Sequence, residues 1–234
     1  GFDNLNIDVM HGLPGQTVEK ACADLRAGAE LKPTHLSWYQ LTLEPNTIFH
    51  ARPPADLPGE EMAWAIQDAG AELLDSLGFR QYEVSAWARK NLRCRHNMNY
   101  WLFGDYLAVG AGAHGKISDS SGIMRYRKPA NPLQYMLAME RGGETGPGQR
   151  LSNDDRVFEF MLNALRLTAG FREADFVART GLPKERLAAA MSGPLEKGLI
   201  TRDERANWCP TELGRRFLND LQAEFLRDSG AGDC

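Results

Sequence analysis

The densest cluster of polar and aromatic side chains in this sequence is Cys94-Arg95-His96-Asn97-Met98-Asn99-Tyr100-Trp101. On a helix, His96 and Tyr100 share a face at i, i+4, with Asn97 and Trp101 alongside. An imidazole is a good axial ligand for heme iron, and flat aromatic rings suit a flat macrocycle. The same residue types equally suit a buried His–Asn hydrogen bond and rings that fill core. Cys94 and His96 alone are too few for a closed metal site.

Asp8 stands at the end of a β-type run, just before Gly12-Leu13-Pro14-Gly15-Gln16-Thr17. In barrels of βα units that edge is where ligands bind, and a carboxylate there can accept hydrogen bonds from ribose hydroxyls. The alternative is that Asp8 caps a turn that the glycines shape. Gly110-Ala111-Gly112-Ala113-His114-Gly115-Lys116 contains G-x-G-x-x-G, and misses the Walker form by Ile117 in place of Ser or Thr. Both patterns need a helix to begin at the loop, whereas Ile117 to Gly122 is polar and lacks helical periodicity. The segment reads better as a tight corner, with His114 lining a pocket or satisfied in the core. Glu44 and Glu83, at strand ends, read as turn or salt-bridge residues.

The elements that position these residues begin with a strand over Leu5–Met10 and a helix capped by Thr17, whose apolar face is Val18, Ala21, Cys22 and Leu25. A second strand over His35–Leu43 completes a βαβ unit, which implies parallel strands. Met62, Ile66, Ala69, Leu73 and Leu77 mark another helix, stopped by Gly78, and Phe79–Val84 another strand. The Gly-rich stretch 142–148, with Pro147, is the expected boundary between a domain at 1–145 and one at 146–234. Past it, Val157, Phe158, Met161, Leu162 and Leu165 share a helical face. A strand at Gly198–Thr201, a polar turn and a last helix carrying Leu213, Phe217, Leu221 and Phe225 complete a winged-helix-like pattern.

The composition of the 234 residues, 43% hydrophobic and 25% charged, is that of an ordinary soluble globular protein. A net charge of -4 argues against bulk attraction to nucleic acid or anionic membrane. Residues 151–234 carry 12 Lys+Arg against 14 Asp+Glu, which counts against DNA binding by the winged-helix-like part. Cys22, Cys94, Cys209 and Cys234 show neither disulfide nor metal-ligand spacing, so a reducing, cytoplasmic compartment is expected. With no initiator Met before Gly1-Phe2-Asp3, the chain reads as a piece of something longer.

These residues resemble a known family. Asp8 to Thr17 is similar to the D-L-I-Y-G-L-P-G-Q-T stretch of radical S-adenosylmethionine (SAM) proteins related to oxygen-independent coproporphyrinogen III oxidase. His35 to Pro45, Gln81 to Ser85 and Tyr106 to His114 fit in the family's order and spacing, and the likeness runs to about Leu226. His96-Asn97-Met98-Asn99-Tyr100-Trp101 is similar to the H-N-x-x-Y-W stretch of its HemW-type, heme-chaperone branch. His11, Ala86 and Ala108 depart from the usual Tyr, Asn and Gly.

The resemblance implies an α/β fold: the back part of a radical SAM (β/α) barrel, then a helical, winged-helix-like domain. It implies a heme contact at His96, which is also the candidate ligand of the heme iron, with Tyr100 and Trp101 packing beside it. It places SAM at Asp8, on the ribose, with Thr42, Ala113 and His114 flanking adenine. The family's [4Fe–4S] cluster is held by C-x-x-x-C-x-x-C, which this chain lacks, so the chain alone is expected to be inactive in radical chemistry. The implied partners are heme and a heme-accepting protein, and an exposed barrel edge would favour self-association. A porphyrinogen oxidase is the second reading and a phosphate-loop nucleotide binder a distant third.

Overall fold

The computed structural model describes residues 2–143 and 148–226. Contacts divide the chain into Gly1–Cys94 and Arg95–Cys234. The boundary expected at 145/146 lies outside the described residues. The division falls earlier because Phe103 and Ile123 pack into one core with Leu151, Phe160 and Met161.

In the first unit, β1 (Asn6–His11), α1 (Val18–Glu30) and β2 (His35–Gln40) form the expected βαβ unit, with the strands parallel. The Thr17 side chain accepts from the Lys20 amide, closing the first turn of α1, which buries Ala21, Cys22, Leu25 and Gly28. Asp8 lies mid-strand rather than at the strand end, because pairing continues through His11 to Gln40. β2 stops at Gln40, not Leu43: Leu41 N–H makes a last bond to the His11 carbonyl, and Thr47 caps the short α2 (Ile48–Ala51) soon after.

α3 (Glu60–Ser76) buries Ile66, Gly70 and Leu74, while Met62 on the expected stripe is exposed. The buried face turns toward Gly70 because the Trp38 ring needs that room; a Cβ on Gly70 would sit 1.8 Å from it. β3 (Arg80–Glu83) is followed by β4 (Ala86–Ala88), which enters the sheet between β2 and β3, antiparallel to both, giving the order β1-β2-β4-β3. The sequence showed one strand here; the turn between the two forms where the buried Glu83 carboxylate accepts from Ser85 N–H and Oγ–H, both at 3.2 Å. Leu25, Leu36, Trp38, Ile66, Leu74, Phe79 and Trp87 form the core. Asn6, Asp8 and Met10 leave the opposite face of β1 open.

His11 is 4% exposed, its ring centroid 4.2 Å from that of Trp38, and its Nδ1 has no hydrogen-bond partner among the described residues. Burial pushes its pKa down to about 4. The unfolded chain therefore binds the proton more readily between pH 6.5 and about 4, and stability falls as pH drops through that window. His11→Tyr should remove about 2 kcal/mol of this acid sensitivity, read from urea midpoints at pH 7 and 4.5; an unchanged pH slope would exclude His11 as its source.

The second unit opens with α4 (Arg95–Trp101), followed by the hairpin β5 (His114–Asp119) and β6 (Gly122–Arg127), α5 (Pro132–Glu140) and β7 (Gln149–Arg150), which pairs with β6. Then come α6 (Asn153–Ala164), α7 (Glu173–Thr180), α8 (Lys184–Glu196), the hairpin β8 (Ile200–Arg202) and β9 (Trp208–Pro210), α9 (Glu212–Arg216) and α10 (Leu218–Ala223). Ser152 and Asp155 form a capping box at the start of α6. α6 buries Val157, Phe160, Met161 and Ala164 rather than Leu162, which is 40% exposed. The single last helix expected from sequence is two, because Phe217 leaves helical geometry at φ -111, ψ 49. Leu213 and Phe217 are half exposed, whereas Leu218, Leu221 and Phe225 are buried.

Candidate functional site

α4 forms over the polar and aromatic cluster, and His96 and Tyr100 meet on one face with centroids 4.9 Å apart and planes at 77°. Tyr100 in turn packs on Tyr106 at 4.6 Å. Tyr106 is held by a bridge to Lys116 and by the Arg125 guanidinium at its hydroxyl, and Arg125 is itself paired with Glu159. The result is a row of rings that starts at the solvent and ends on an ion pair. His96 is exposed and makes no hydrogen bond among the described residues, so it sits neither in a core nor in a His–Asn pair. Trp101 lies under the Arg166 guanidinium, 4.3 Å from its ring, with a buried Nε1 that has no partner among the described residues. Asn99 braces the turn that follows α4. Its amide donates to the Asp105 carbonyl, and Gly104 fits against it where a Cβ would sit 2.1 Å from Oδ1.

Gly110 to His114 does not open a helix. It leads into β5, so no row of helix amides faces the loop. Lys116 is 1% exposed, its Nζ 2.8 Å from Asp105 and 4.2 Å over the Phe103 ring. Burial lowers its pKa, and at Asp105 hydrogen bonds from Lys116 and Ser118 overcome burial and hold the carboxyl below its usual range. This lysine is spent on an internal pair, which removes the phosphate-loop reading. His114 is exposed rather than satisfied in the core. The Ala113 N–H donates to the Gly110 carbonyl and its own carbonyl accepts from Lys128 N–H.

In the first unit, Asp8 projects from the open face of the sheet. Its Oδ1 accepts from the Asn6 amide at 2.8 Å, and among the described residues no donor engages its other oxygen. In register beside it, Met10 and Tyr39 are 45% and 41% exposed and present apolar surface on the same face. Thr42 lies beyond the strand, its hydroxyl donating to the Gln40 carbonyl at 3.3 Å. The Gly12–Gly15 turn is braced internally. Gln16 accepts from Leu13 N–H and donates to Asp24, and Gly15 N–H donates to the Asp56 carbonyl. Asp8 and Thr42 thus belong to one unit, and His96, Tyr100, Trp101, Ala113 and His114 to the other. Sequence reasoning missed Asn6, Met10, Tyr39 and Tyr106; strand alternation around Asp8 could have flagged Asn6 and Met10.

The described cysteines do not fit a cluster: Cys22 is buried in α1, Cys94 precedes α4 and Cys209 lies in β9. Among the described residues no group of three or more His, Cys, Asp or Glu could hold a metal ion. No described helix is long and apolar enough to cross a membrane.

Residues 151–217 match the family described as HemN C-terminal domain. The heme chaperone HemW of Haemophilus influenzae is 42% identical over 229 residues, covering 97% of this chain and 58% of that protein. Over nearly its whole length the chain is similar to HemW heme chaperones. HemW of Escherichia coli is also 42% identical, covering 97% of this chain and 59% of its own, and HemW of Bacillus subtilis is 29% identical over 232 residues. The chain therefore spans somewhat under two thirds of the length of these relatives. The solved coproporphyrinogen III oxidase (HemN) of Escherichia coli, described as a radical SAM enzyme, aligns with a TM-score of 0.72 at 23% identity, covering 96% of this chain and 55% of that one. That likeness shows the fold, the C-terminal part of the HemN architecture.

Proposed function

We propose that this chain is the heme- and SAM-binding C-terminal part of a HemW-type heme chaperone that works in the cytoplasm and hands heme to an accepting protein. The observation that carries this reading is the exposed His96 imidazole, which meets Tyr100 edge-on and makes no hydrogen bond among the described residues, within a chain 42% identical to a heme chaperone over 97% of its length. His96 would ligate the heme iron while Tyr100 and Trp101 pack against the macrocycle. Asp8 would hold the ribose of SAM, with Thr42 of the same unit beside the adenine. Radical chemistry requires cluster thiolates that this chain does not carry, so heme binding and transfer is the activity assigned to it. The β1 edge of the sheet is the proposed surface for self-association.

Heme titration of the wild type and of His96→Ala tests the proposal. The variant should bind about tenfold more weakly, with a shifted Soret band, because an axial ligand is lost. Identical affinity and spectrum would remove His96 from the site.

A further inference from the structure

A hydrogen-bonded chain in the first unit runs from the buried Tyr82 and His35 to the exposed Asp8. Cys94 N–H donates to the Tyr82 hydroxyl at 3.3 Å, and that hydroxyl lies 2.8 Å from His35 Nε2. His35 Nδ1 is 2.6 Å from Asn6 Oδ1, which also accepts from Ser37 Oγ–H at 3.1 Å. The Asn6 amide then donates to Asp8 at 2.8 Å.

These partners fix the Asn6 amide and the proton on His35 Nδ1. A carboxylate can only accept, so Asn6 must turn its NH₂ toward Asp8 and its oxygen toward His35. That oxygen can only accept, so His35 carries its proton on Nδ1. In the neutral ring Nε2 is a lone pair that takes the Tyr82 O–H, and the Tyr82 oxygen takes Cys94 N–H. Burial, with His35 at 3% exposed, favours the neutral ring; it lowers the pKa against the opposing pull of Asp8.

We infer that His35 is a positioning residue, whose neutral Nδ1–H tautomer locks the Asn6 amide and so aims the Asp8 carboxylate at its ligand. The inference rests on the proposed ribose contact at Asp8. A ligand hydroxyl that meets a carboxylate already held in place loses less freedom on binding than one that must order it.

Nitrogen NMR of the full chain with labelled histidine reads the tautomer directly, in the absence of ligand. A neutral Nδ1–H ring at pH 7 is expected for His35, and an Nε2–H tautomer or an imidazolium overturns the inference. Adenosine titration then reads the consequence. Asn at this position keeps a donor where Nδ1 was, whereas Gln places its amide where Nε2 was. His35→Asn should therefore stay within about threefold of wild type, while His35→Gln and His35→Leu lose about tenfold. Equal losses in all three would reduce His35 to a packing residue and overturn the positioning role. Undiminished adenosine affinity in Asp8→Asn, or no adenosine binding by the wild type, sinks the ribose contact and the positioning role with it. The NMR result would still show whether the hydrogen-bonded chain exists.

Discussion

Phe160→Ala should cost the second unit about 3–5 kcal/mol, the range for emptying an aromatic site in a packed core. Phe160 is 1% exposed and is met edge-on by three other rings: Phe103 at 5.9 Å, Phe171 at 4.9 Å and Phe176 at 5.2 Å. Such contacts add to the burial itself, and neighbours drawn from separate elements cannot all collapse into one hole. Phe103 follows directly on α4, so the loss should reach the helix that presents His96. Hydrogen exchange of α4 and α6 peptides, read beside urea unfolding, would show faster opening in both. A loss below about 1 kcal/mol would mean that the site closes up far better than the geometry indicates.

Gly170→Ala should cost roughly 3 kcal/mol, through a different mechanism. Gly170 has φ +62, and a Cβ there would stand 1.9 Å from the Trp208 carbonyl oxygen. That oxygen accepts Phe171 N–H at 3.0 Å, and Trp208 N–H donates back to Phe171 at 2.8 Å. The collision is therefore with backbone pinned on both sides, and relief means breaking the bridge between the α6–α7 corner and the wing. Gly198→Ala is the internal control: its φ is +67, but nothing lies within 4 Å of the added carbon. It should lose only about 1 kcal/mol, the cost of the left-handed conformation. Equal losses at both glycines would show that conformation, not the carbonyl, is the constraint.

The parts of the fold that could be read in advance are those written in local chemistry. Gly12-Leu13-Pro14-Gly15 and the Thr17 cap announce the first βαβ unit, and the i, i+4 spacing of His96 and Tyr100 survives as a ring contact. Other features escaped for physical reasons. β4 is three residues long and buried throughout, so it has no alternation to detect. The buried face of α3 includes Gly70, and a glycine that makes room for a tryptophan is silent in any pattern of apolar side chains. The ion pair of Lys116 with Asp105 could not be read from the Gly-rich motif, because Asp105 lies outside it. Asn6, His35 and Tyr82 meet only through strand pairing across the sheet β1-β2-β4-β3, and nothing in a linear motif joins them.

The in-register pairing of β1 and β2 sets Ile7 and Val9 beside Leu36 and Trp38, toward α1 and α3, and sets Asn6 and Asp8 beside His35 and Ser37 on the other face. Strand side chains alternate strictly, so a slip of one residue would exchange the two sets. Asp8 would then be driven beneath α1, and the aliphatic side chains would come out into solvent. The greasy underside of the sheet thus acts as a ratchet for its polar surface. Residues buried beneath the sheet decide whether the Asp8 carboxylate reaches the surface at all.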